Sequence, residues 1–361
     1  MYASVILPTY NEAGSLPSAI DALRTALSGR EDWEIIVVDD NSPDGTWQLA
    51  QQMGVADARI RCYRRLDRRG LSSAIVDGLS LGTGERLLVM DADLQHDTSK
   101  VPELLAALDN ADVSVGSRFM RGGGTGEWSK RRLFLSRMAT LACRLVLGLR
   151  TSDPMSGFFA VRREAFLQVA PRLNPRGYKL LMELLTLLRA RPVAEVPYVF
   201  SPRQVGQSKL SGGVVWEFFL SLVELGTRNV VSARFVKYGL VGLTGVGVQY
   251  ASFYLLWSHL LGDEPGTFAA IGTAAVSNYL ANNSWTFSER RHTSRAEVLR
   301  GFGLFVVISA CGAFINQSAT WYLAHLGSLL PLAMAAGIAV STTWNYFLNL
   351  DLTWRGHARP E

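Results

Sequence analysis

The sequence has little cysteine, and it lacks the glycine motifs of two large nucleotide-binding classes. Its three cysteines, Cys62, Cys143 and Cys311, are odd in number and scattered, which argues against a disulfide framework or a cysteine metal site. No G-X-G-X-X-G follows the first predicted strand and no Walker lysine loop occurs, so dinucleotide redox chemistry and P-loop hydrolysis are disfavoured. The first residues also lack the basic start and cleavage site of a signal peptide, and we expect the amino-terminal part to stay in the cytoplasm.

Charged side chains are absent from three long stretches near the carboxyl terminus. None occurs at 238–262, at 265–288 or at 301–350, where only a turn around 325–331 interrupts the apolar sequence. Uncharged apolar runs of about 18 or more residues are typical of transmembrane helices. We therefore predict four spans, near 237–259, 266–287, 301–324 and 330–351. Because these spans hold no acid or base, a proton-coupled transporter is disfavoured.

The links between the predicted spans differ in charge. The link at 259–266 carries two acids and no Lys or Arg, whereas the link between the second and third spans carries four arginines, at 290, 291, 295 and 300. The positive-inside rule places the arginine-rich link in the cytoplasm. With an even number of spans, both termini and the amino-terminal domain then lie on the cytoplasmic side.

The predicted spans also resemble one another in pairs. The pattern N-Y-X-X-N-X-X-X-T, followed by an aromatic residue, closes the second span at 278–287 and the fourth at 345–354. The first and third spans open similarly, with Lys237-Tyr238-Gly239-Leu240 against Gly301-Phe302-Gly303-Leu304. We interpret this region as two copies of a two-span hairpin in the same orientation.

Strand and helix patterns alternate in the first 200 residues, which predicts an α/β domain with a mostly parallel sheet. Strands are predicted at 4–8, 34–38, 59–63, 86–90, 112–116, 157–161 and 194–200, with helices near 13–27, 72–81, 101–108 and 179–189. Acidic residues follow successive strands: Glu12 after the first, Asp39 and Asp40 after the second, and Asp91 and Asp93 later. Carboxyl ends of strands are where open α/β sheets bind ligands. Like charges that converge there suggest a functional cleft holding a cation or ligand.

Asp91-Ala92-Asp93-Leu94-Gln95 is the strongest local signal in the sequence. It places two carboxylates and an amide oxygen just past the apolar run at 87–90. Oxygen ligands of this kind suit Mg²⁺ or Mn²⁺, which would bridge the phosphates of a nucleotide donor. The sequence therefore predicts a divalent cation site at the end of this strand.

The segment 118–150 is basic, with eight Lys or Arg against the single acid Glu127. Beside membrane spans, such a segment fits lipid phosphates better than nucleic acid. Two stretches, 133–149 and 214–230, have apolar and polar residues on opposite helical faces, and we predict that both are interfacial membrane helices.

Several ordered motifs give the chain a family resemblance. The sequences at 8–12 (PTYNE), 37–46 (VVDDNSPDGT) and 91–96 (DADLQH) resemble the motifs of glycosyltransferase family 2. The sequences GSR at 116–118, SGFF at 156–159 and the R-X-X-G-X-S-K-L segment from Arg203 narrow this to polyprenyl-phosphate sugar transferases, the dolichol-phosphate mannose synthases especially. The predicted spans resemble a GtrA-like membrane domain. The resemblance covers nearly the whole chain and implies a GT-A fold.

The resemblance also implies roles for individual residues. Those implied to hold the nucleoside are Pro8, Tyr10, Glu12, Val37 and Asp39. Those implied to lie along the rest of the donor are Asp91 and Ala92, with Asp93 and Gln95 as the metal ligands. Arg203 and Lys209 resemble the family's diphosphate-binding pair, and Lys179 matches a lysine of the same site. Arg118 would face the acceptor phosphate, with Arg132 and Ser136, although Arg131 competes with Arg132 for this assignment.

The family chemistry is metal-dependent transfer of a sugar, with inversion, to a membrane polyprenyl (dolichyl-type) phosphate. GDP-mannose is the expected donor, and UDP-glucose or another UDP-sugar is the alternative. A lipid-linked sugar translocator is the non-enzyme alternative. The predicted organisation is a glycosyltransferase domain at 1–209, an interface helix and linker at 210–233, four spans at 234–354 and a tail at 355–361. Nothing in the sequence predicts the oligomeric state.

Overall fold

Seven short runs of apolar and β-branched residues form one sheet in the amino-terminal part of the chain. The strands are β1 (Ala3–Thr9), β2 (Trp33–Asp39), β3 (Ile60–Arg64), β4 (Arg86–Val89), β5 (Val113–Ser117), β6 (Phe159–Arg162) and β7 (Val193–Pro197). Their order is β3-β2-β1-β4-β6-β5-β7. All pairs are parallel except those of β6, which runs antiparallel to both β4 and β5. The prediction of an α/β domain with a mostly parallel sheet is confirmed.

The computed structural model describes residues 1–174, 180–201, 212–228 and 230–355. The helices of the first part are α1 (Leu16–Ala26), α2 (Thr46–Ala56), α3 (Leu71–Leu81), α4 (Val101–Ala107), α5 (Lys130–Leu147), α6 (Arg163–Val169), α7 (Leu180–Leu187) and α8 (Gly212–Gly226). The chain divides into two units, Met1–Asn229 and Val230–Glu361. Helix α8 belongs to the first unit, where a side chain of α5 reaches Gly226 at its end.

The central strands of the first unit are buried on both faces. Alternate side chains of β2 point to opposite faces, so Ile35 and Val37 join one apolar core while Ile36 and Val38 join the other. Helices α1 and α4 cover the first face, and α3, α5, α6 and α7 contribute to the core of the second. This arrangement covers both faces of the central strands and leaves their ends to meet a ligand.

The second unit is helical. Its helices are α9 (Ala233–Ser252), α10 (Ser258–Leu261), α11 (Asp263–Ala281), α12 (Arg295–His325) and α13 (Leu330–Leu348), and π-helical segments occupy Phe253–Trp257, Asn282–Thr286 and Asn349–Thr353. Within the described ranges, the stretches long and apolar enough to cross a membrane are Ala233–Leu261 and Arg295–His325, of 29 and 31 residues. The other two predicted spans fall on α11 and α13, each of 19 residues. Four spans therefore stay a prediction.

In each helical hairpin of the second unit, a glycine of one helix packs against an asparagine of the other. A Cβ added to Gly245 would lie 2.3 Å from Asn278 Nδ2, and one added to Gly312 would lie 2.2 Å from Asn345 Oδ1. Both pairs have the same separation along the chain. If Gly245 and Gly312 are equivalent positions, Tyr238 corresponds to Phe305. The comparison of the span starts in the sequence pairs Tyr238 with Phe302 instead, three residues earlier.

Aromatic rings gather where the two hairpins end. Phe287 and Trp354, which follow the two repeated patterns, stack with ring centroids 4.2 Å apart. Trp354 Nε1 donates to Asn283 Oδ1 at 3.1 Å, and the same oxygen accepts the His292 N–H at 2.9 Å. Asn349 Nδ2 donates to the Tyr238 hydroxyl at 3.1 Å. These hydrogen bonds join the ends of the two hairpins inside an aromatic cluster.

Candidate active site

Three neighbouring parallel strands end at the same edge of the sheet and bring the predicted donor residues there. Thr9, the last residue of β1, pairs in register with Asp39, the last residue of β2. On the other side of β1, β4 ends at Val89, two residues before Asp91. Pro8 and Val37 lie within the strands and are buried, and the Val37 side chain belongs to the apolar core. Tyr10, just past β1, is exposed.

The acids after β2 are engaged by neighbouring groups of the protein. Asp39 is fully buried and accepts hydrogen bonds from the Thr9 hydroxyl at 2.9 Å and the Ser42 hydroxyl at 2.6 Å. Asp40 pairs with Arg65 at 2.6 Å, and burial raises the pKa of its carboxyl. These two carboxylates therefore fix the loop after β2 and do not supply an open cation site.

Glu12 lies between the first two strand ends. Its Oε2 accepts the Ser15 hydroxyl at 2.9 Å, and its backbone N–H donates to Thr46 Oγ1 at 3.0 Å. Thr46 also contacts Asp44, whose pKa is lowered by hydrogen bonds from Thr46 and Ala13 although burial opposes the shift. The loops after β1 and β2 are thus bonded to each other.

The segment after β4 turns sharply at Leu94, whose φ of 62° lies in the left-handed region. Ala92 and Asp93 are buried, whereas the Asp91 side chain is 38% exposed. The Gln95 N–H donates to Asp93 Oδ1 at 3.1 Å. Gln95 Nε2 donates to the Ser201 carbonyl at 3.1 Å, so its Oε1 is the end of the amide that this bond leaves unused. Asp91, Ala92, Asp93 and Gln95 therefore lie together, as their motif requires.

A divalent cation fits this segment by the chemistry of its donors, two carboxylates and one amide oxygen within five residues. Among the described residues no three His, Cys, Asp or Glu side chains converge as a metal cluster. Mg²⁺ is usually held by one or two carboxylates together with substrate phosphates and waters, so a small protein ligand set is expected for this ion.

His96 is a residue of this segment to which sequence reasoning gave no role. It is buried, stacks on Phe158 at 5.1 Å, and its Nδ1 accepts the Asp91 N–H at 3.1 Å. Burial lowers the pKa of its imidazole to about 4, so the ring is neutral at physiological pH. Its Nε2 lies 3.9 Å from Asp91 Oδ2. His96 thus holds the backbone of Asp91 and faces its carboxylate.

Arg118, just past β5, is held by a carboxylate that the sequence did not single out. Its Nε and Nη2 donate to the two oxygens of Asp153 at 2.7 and 2.8 Å, and Asp153 is fully buried. Although burial opposes it, this carboxylate raises the pKa of the Arg118 guanidinium. Asp153 comes before β6, the one reversed strand, so the chain entering β6 lies at the same edge as the carboxyl ends of the parallel strands.

Arg132 lies beside Arg118 on a shared indole ring. The guanidinium carbons of Arg118 and Arg132 lie 4.9 and 3.9 Å from the centroid of Trp128. Burial and the charge of Arg118 lower the pKa of Arg132. Ser136 follows one turn later on α5, and Arg131, unlike Arg132, is exposed. The structure thus brings together Arg118 and Arg132, with Trp128 as a residue that sequence reasoning missed.

The segment after β4 and the two arginines are linked through neighbouring rings and charges. The guanidinium carbon of Arg118 lies 5.6 Å from the centroid of the Phe200 ring, and that centroid lies 5.8 Å from the centroid of the His96 ring. The charge of Asp91 contributes to the raised pKa of Arg118. The predicted cation ligands and the predicted phosphate-binding arginines therefore share one site. Lys179, Arg203 and Lys209 lie outside the described residues.

Known families match both parts of the chain. Residues 4–169 match Glycosyl transferase family 2, and residues 237–354 match the GtrA/DPMS transmembrane domain. A dolichol-phosphate mannosyltransferase from Pyrococcus furiosus is 35% identical over 98% of this chain and 99% of its own length. A polyprenol monophosphomannose synthase from Mycolicibacterium smegmatis is 36% identical over 62% of this chain and 87% of its own.

A solved structure shares the fold of the first unit. Glucosyl-3-phosphoglycerate synthase from Mycobacterium tuberculosis, in complex with phosphoglyceric acid, is 22% identical. It aligns with a TM-score of 0.50 over 63% of this chain and 80% of that chain. At this identity the likeness concerns the fold alone, and it supports the predicted GT-A type of α/β domain.

Proposed function

This chain belongs to the dolichol-phosphate mannosyltransferase family within glycosyltransferase family 2, and we propose that it transfers mannose to the phosphate of a membrane polyprenyl phosphate. The observation that carries the proposal is the end-to-end similarity to the Pyrococcus furiosus enzyme, at 35% identity over 98% of the chain. The acceptor's chemistry agrees with the site, where two arginines lie on one indole ring beside the predicted cation ligands.

We propose GDP-mannose as the donor, held at the carboxyl ends of β1, β2 and β4. In this assignment the loops after β1 and β2, with Tyr10, Glu12 and Asp39, surround the nucleoside. Pro8 and Val37, buried within β1 and β2, are assigned to the nucleoside by motif alone. Asp91 and Ala92 lie along the rest of the donor, and Lys179, Arg203 and Lys209 are assigned to its diphosphate by motif alone.

Asp93 and Gln95 are the proposed ligands of a divalent cation, Mg²⁺ or Mn²⁺. Such a cation, when bound, neutralises negative charge that develops on the leaving diphosphate. Two hydrogen bonds hold these ligands in place. The Gln95 backbone N–H donates to Asp93 Oδ1, and Gln95 Nε2 donates to the Ser201 carbonyl. His96, neutral and buried, keeps Asp91 in its conformation without adding charge.

Arg118, Arg132 and Ser136 are the proposed acceptor-phosphate site. A phosphate monoester has a second pKa of about 6 and is mostly dianionic at neutral pH, so its oxygen needs no general base. That oxygen attacks the anomeric carbon and forms a new C–O bond. The C–O bond to the donor diphosphate breaks, its electron pair leaves with GDP, and the configuration at the anomeric carbon inverts.

We propose that the second unit anchors the enzyme through four spans, with both termini and the active site on the cytoplasmic side. Supporting this, residues 237–354 match a membrane-domain family and Ala233–Leu261 and Arg295–His325 are long enough to span. The proposed division is a catalytic domain at 1–209, a second interface helix and linker at 210–233, spans at 234–354 and a tail at 355–361. The apolar side chains that α5 exposes, such as Phe134, Met138 and Leu145, support an interfacial position for that helix.

The test is an assay with the purified full-length protein, polyprenyl phosphate in detergent, Mg²⁺ or Mn²⁺ and a panel of labelled GDP- and UDP-sugars. We expect a labelled lipid with GDP-mannose, and loss of nearly all product in Asp93→Ala. The matched control is Asp97→Ala, because Asp97 caps a nearby turn through the Ser99 N–H and is not assigned to the site. If the Asp93 variant is as active as the control, the metal assignment is wrong. If only UDP-sugars react, the donor assignment is wrong.

A further inference from the structure

Arg118 and Arg132 are neighbouring like charges, and one carboxylate, that of Asp153, pairs with Arg118. Both guanidinium groups lie over Trp128, one held by Asp153 and the other, among the described residues, without a carboxylate partner. Repulsion between two such cations in a half-buried site is costly unless an anion compensates it. Two arginines and one carboxylate leave one net positive charge, so the group favours an anion such as a phosphate.

Asp153 occupies one edge of the Arg118 guanidinium and leaves another available. Its two oxygens take the Nε proton and one Nη2 proton in a side-on pair. A guanidinium has five N–H donors, so the end edge, formed by Nη1 and the second Nη2 proton, remains for a second bidentate partner. A phosphate bound end-on would therefore meet an arginine whose plane Asp153 has already fixed.

The loop that carries Asp153 is itself anchored to the sheet. Glu195 in β7 accepts hydrogen bonds from the Thr151 hydroxyl at 2.8 Å and from the Ser152 N–H at 2.7 Å. The Asp153 side chain also accepts the Arg118 backbone N–H at 3.2 Å. Asp153 is thus fixed both through its own loop and through β5, which makes it a rigid reference for the guanidinium.

We propose that Asp153 and Trp128 are positioning residues that preset Arg118 and Arg132 as a two-arginine clamp for the acceptor phosphate. The proposal rests on the proposed function for the identity of the acceptor. Asp153 sets the plane and direction of Arg118, while Trp128 gives both guanidinium groups a common ring to lie against. Neither side chain is required to touch the sugar donor.

The experiment uses the full-length protein and a soluble lipid-phosphate probe, farnesyl phosphate, with farnesol as the probe that lacks the phosphate. Binding is measured without donor for the parent, Asp153→Asn and Asp153→Glu. By charge alone, Asp153→Asn should tighten binding, because a negative charge next to the anion is removed. Loss of the fixed orientation of Arg118 should weaken binding. We expect this effect to be the larger one, so the dissociation constant should rise roughly tenfold or more. Asp153→Glu, which keeps the charge, should recover part of the affinity, and farnesol binding should not change.

Asp57→Asn is the matched control. Asp57 makes the same side-on pair with Nε and Nη2 of Arg59, both at 3.0 Å, on a surface away from the site. Trp128→Phe is the second variant, and it should weaken farnesyl phosphate binding with a smaller effect than Asp153→Asn. In the mannosyl-transfer assay the KM for the lipid phosphate should rise in both variants, while the KM for GDP-mannose stays near that of the parent.

The outcomes separate the two proposals. If Asp153→Asn binds farnesyl phosphate as tightly as the parent or more tightly, the positioning role is overturned even when mannosyl transfer is established. If the variants weaken binding as expected but the parent makes no mannosyl lipid from any donor, the positioning role stands and the proposed function fails. Loss of binding in Asp57→Asn as well would assign the effect to general destabilisation and overturn the positioning role.

Discussion

Replacing His96 by Phe should produce a loss of stability that depends on pH. Phe keeps the ring that stacks on Phe158 but removes the Nδ1 acceptor of the Asp91 N–H. Leaving that buried donor unpaired costs about 1–3 kcal/mol. For a unit of this size, the unfolding temperature of the catalytic part should fall by roughly 2–12 °C at pH 7.5.

The pH dependence follows from the imidazole. The pKa of His96 is about 4 in the folded protein and 6.5 ordinarily, so the unfolded chain binds more protons between these values. The stability that the neutral ring provides is fully present above pH 6.5 and is lost as the pH falls toward 4. Over the whole window the loss is on the order of 3 kcal/mol, and at pH 5 it is about 2 kcal/mol.

Because the Phe variant does not carry this titration, its deficit should nearly vanish at pH 5. The measurement is thermal unfolding of the full-length parent and variant in detergent, followed by circular dichroism at pH 7.5, 6 and 5. His259→Phe is the control, since His259 is exposed in the second unit. A gap between parent and His96→Phe that stays constant from pH 7.5 to 5 would refute the conclusion that burial keeps this ring neutral.

Three further predictions concern packing and the cation. Gly78→Ala should destabilise the first unit by about 1–3 kcal/mol, because the added Cβ would lie 2.4 Å from an isoleucine of β1. The control is Gly14→Ala, whose Cβ would have no atom within 4 Å and should leave the stability unchanged. Chemical denaturation measures the difference between the two variants. Gly312→Ala should lower the unfolding temperature of the second unit in detergent, because the added Cβ would collide with Asn345. Gly303→Ala, whose Cβ would have no atom within 4 Å, should leave that temperature unchanged. Equal effects of the two substitutions would contradict the close contact within the hairpin. Removing divalent cations with EDTA should abolish sugar transfer, and added Mg²⁺ or Mn²⁺ should restore it; activity that persists in EDTA would exclude the proposed cation role.

Periodicity predicted the parallel strands well, because β2 and its neighbours are continuous apolar runs covered on both faces. It did not predict that β6 is reversed, since strand direction is set by chain connection and not by local sequence. The predicted strand at 157–161 also begins too early. Gly157 instead brings the backbone close to Asp91, where an added Cβ would lie 3.4 Å from the carboxylate and from His96.

The site was predictable where the motif and the chemistry lie together in the sequence. Asp91 to Gln95 is such a segment, and all its predicted donors come from one strand end. Asp153 was missed because it acts on an arginine 35 residues away in the chain, and Trp128 because a tryptophan in a basic segment does not show that it lies between two arginines. An aspartate directly before a proline, in a loop without a metal-like spacing, carries no sign of its partner. Only the reversed direction of β6 brings it to Arg118.

Because a glycine packs against an asparagine in each hairpin, the side-chain size tolerated at one position depends on the residue at the other. Where Gly312 contacts Asn345, a larger residue at the first position becomes tolerable only when the second becomes smaller. The effects of changing both are therefore not additive, and Asn345→Ala should offset part of the cost of Gly312→Ala. The same constraint applies between Gly245 and Asn278. In evolution the two residues of each pair should therefore change together.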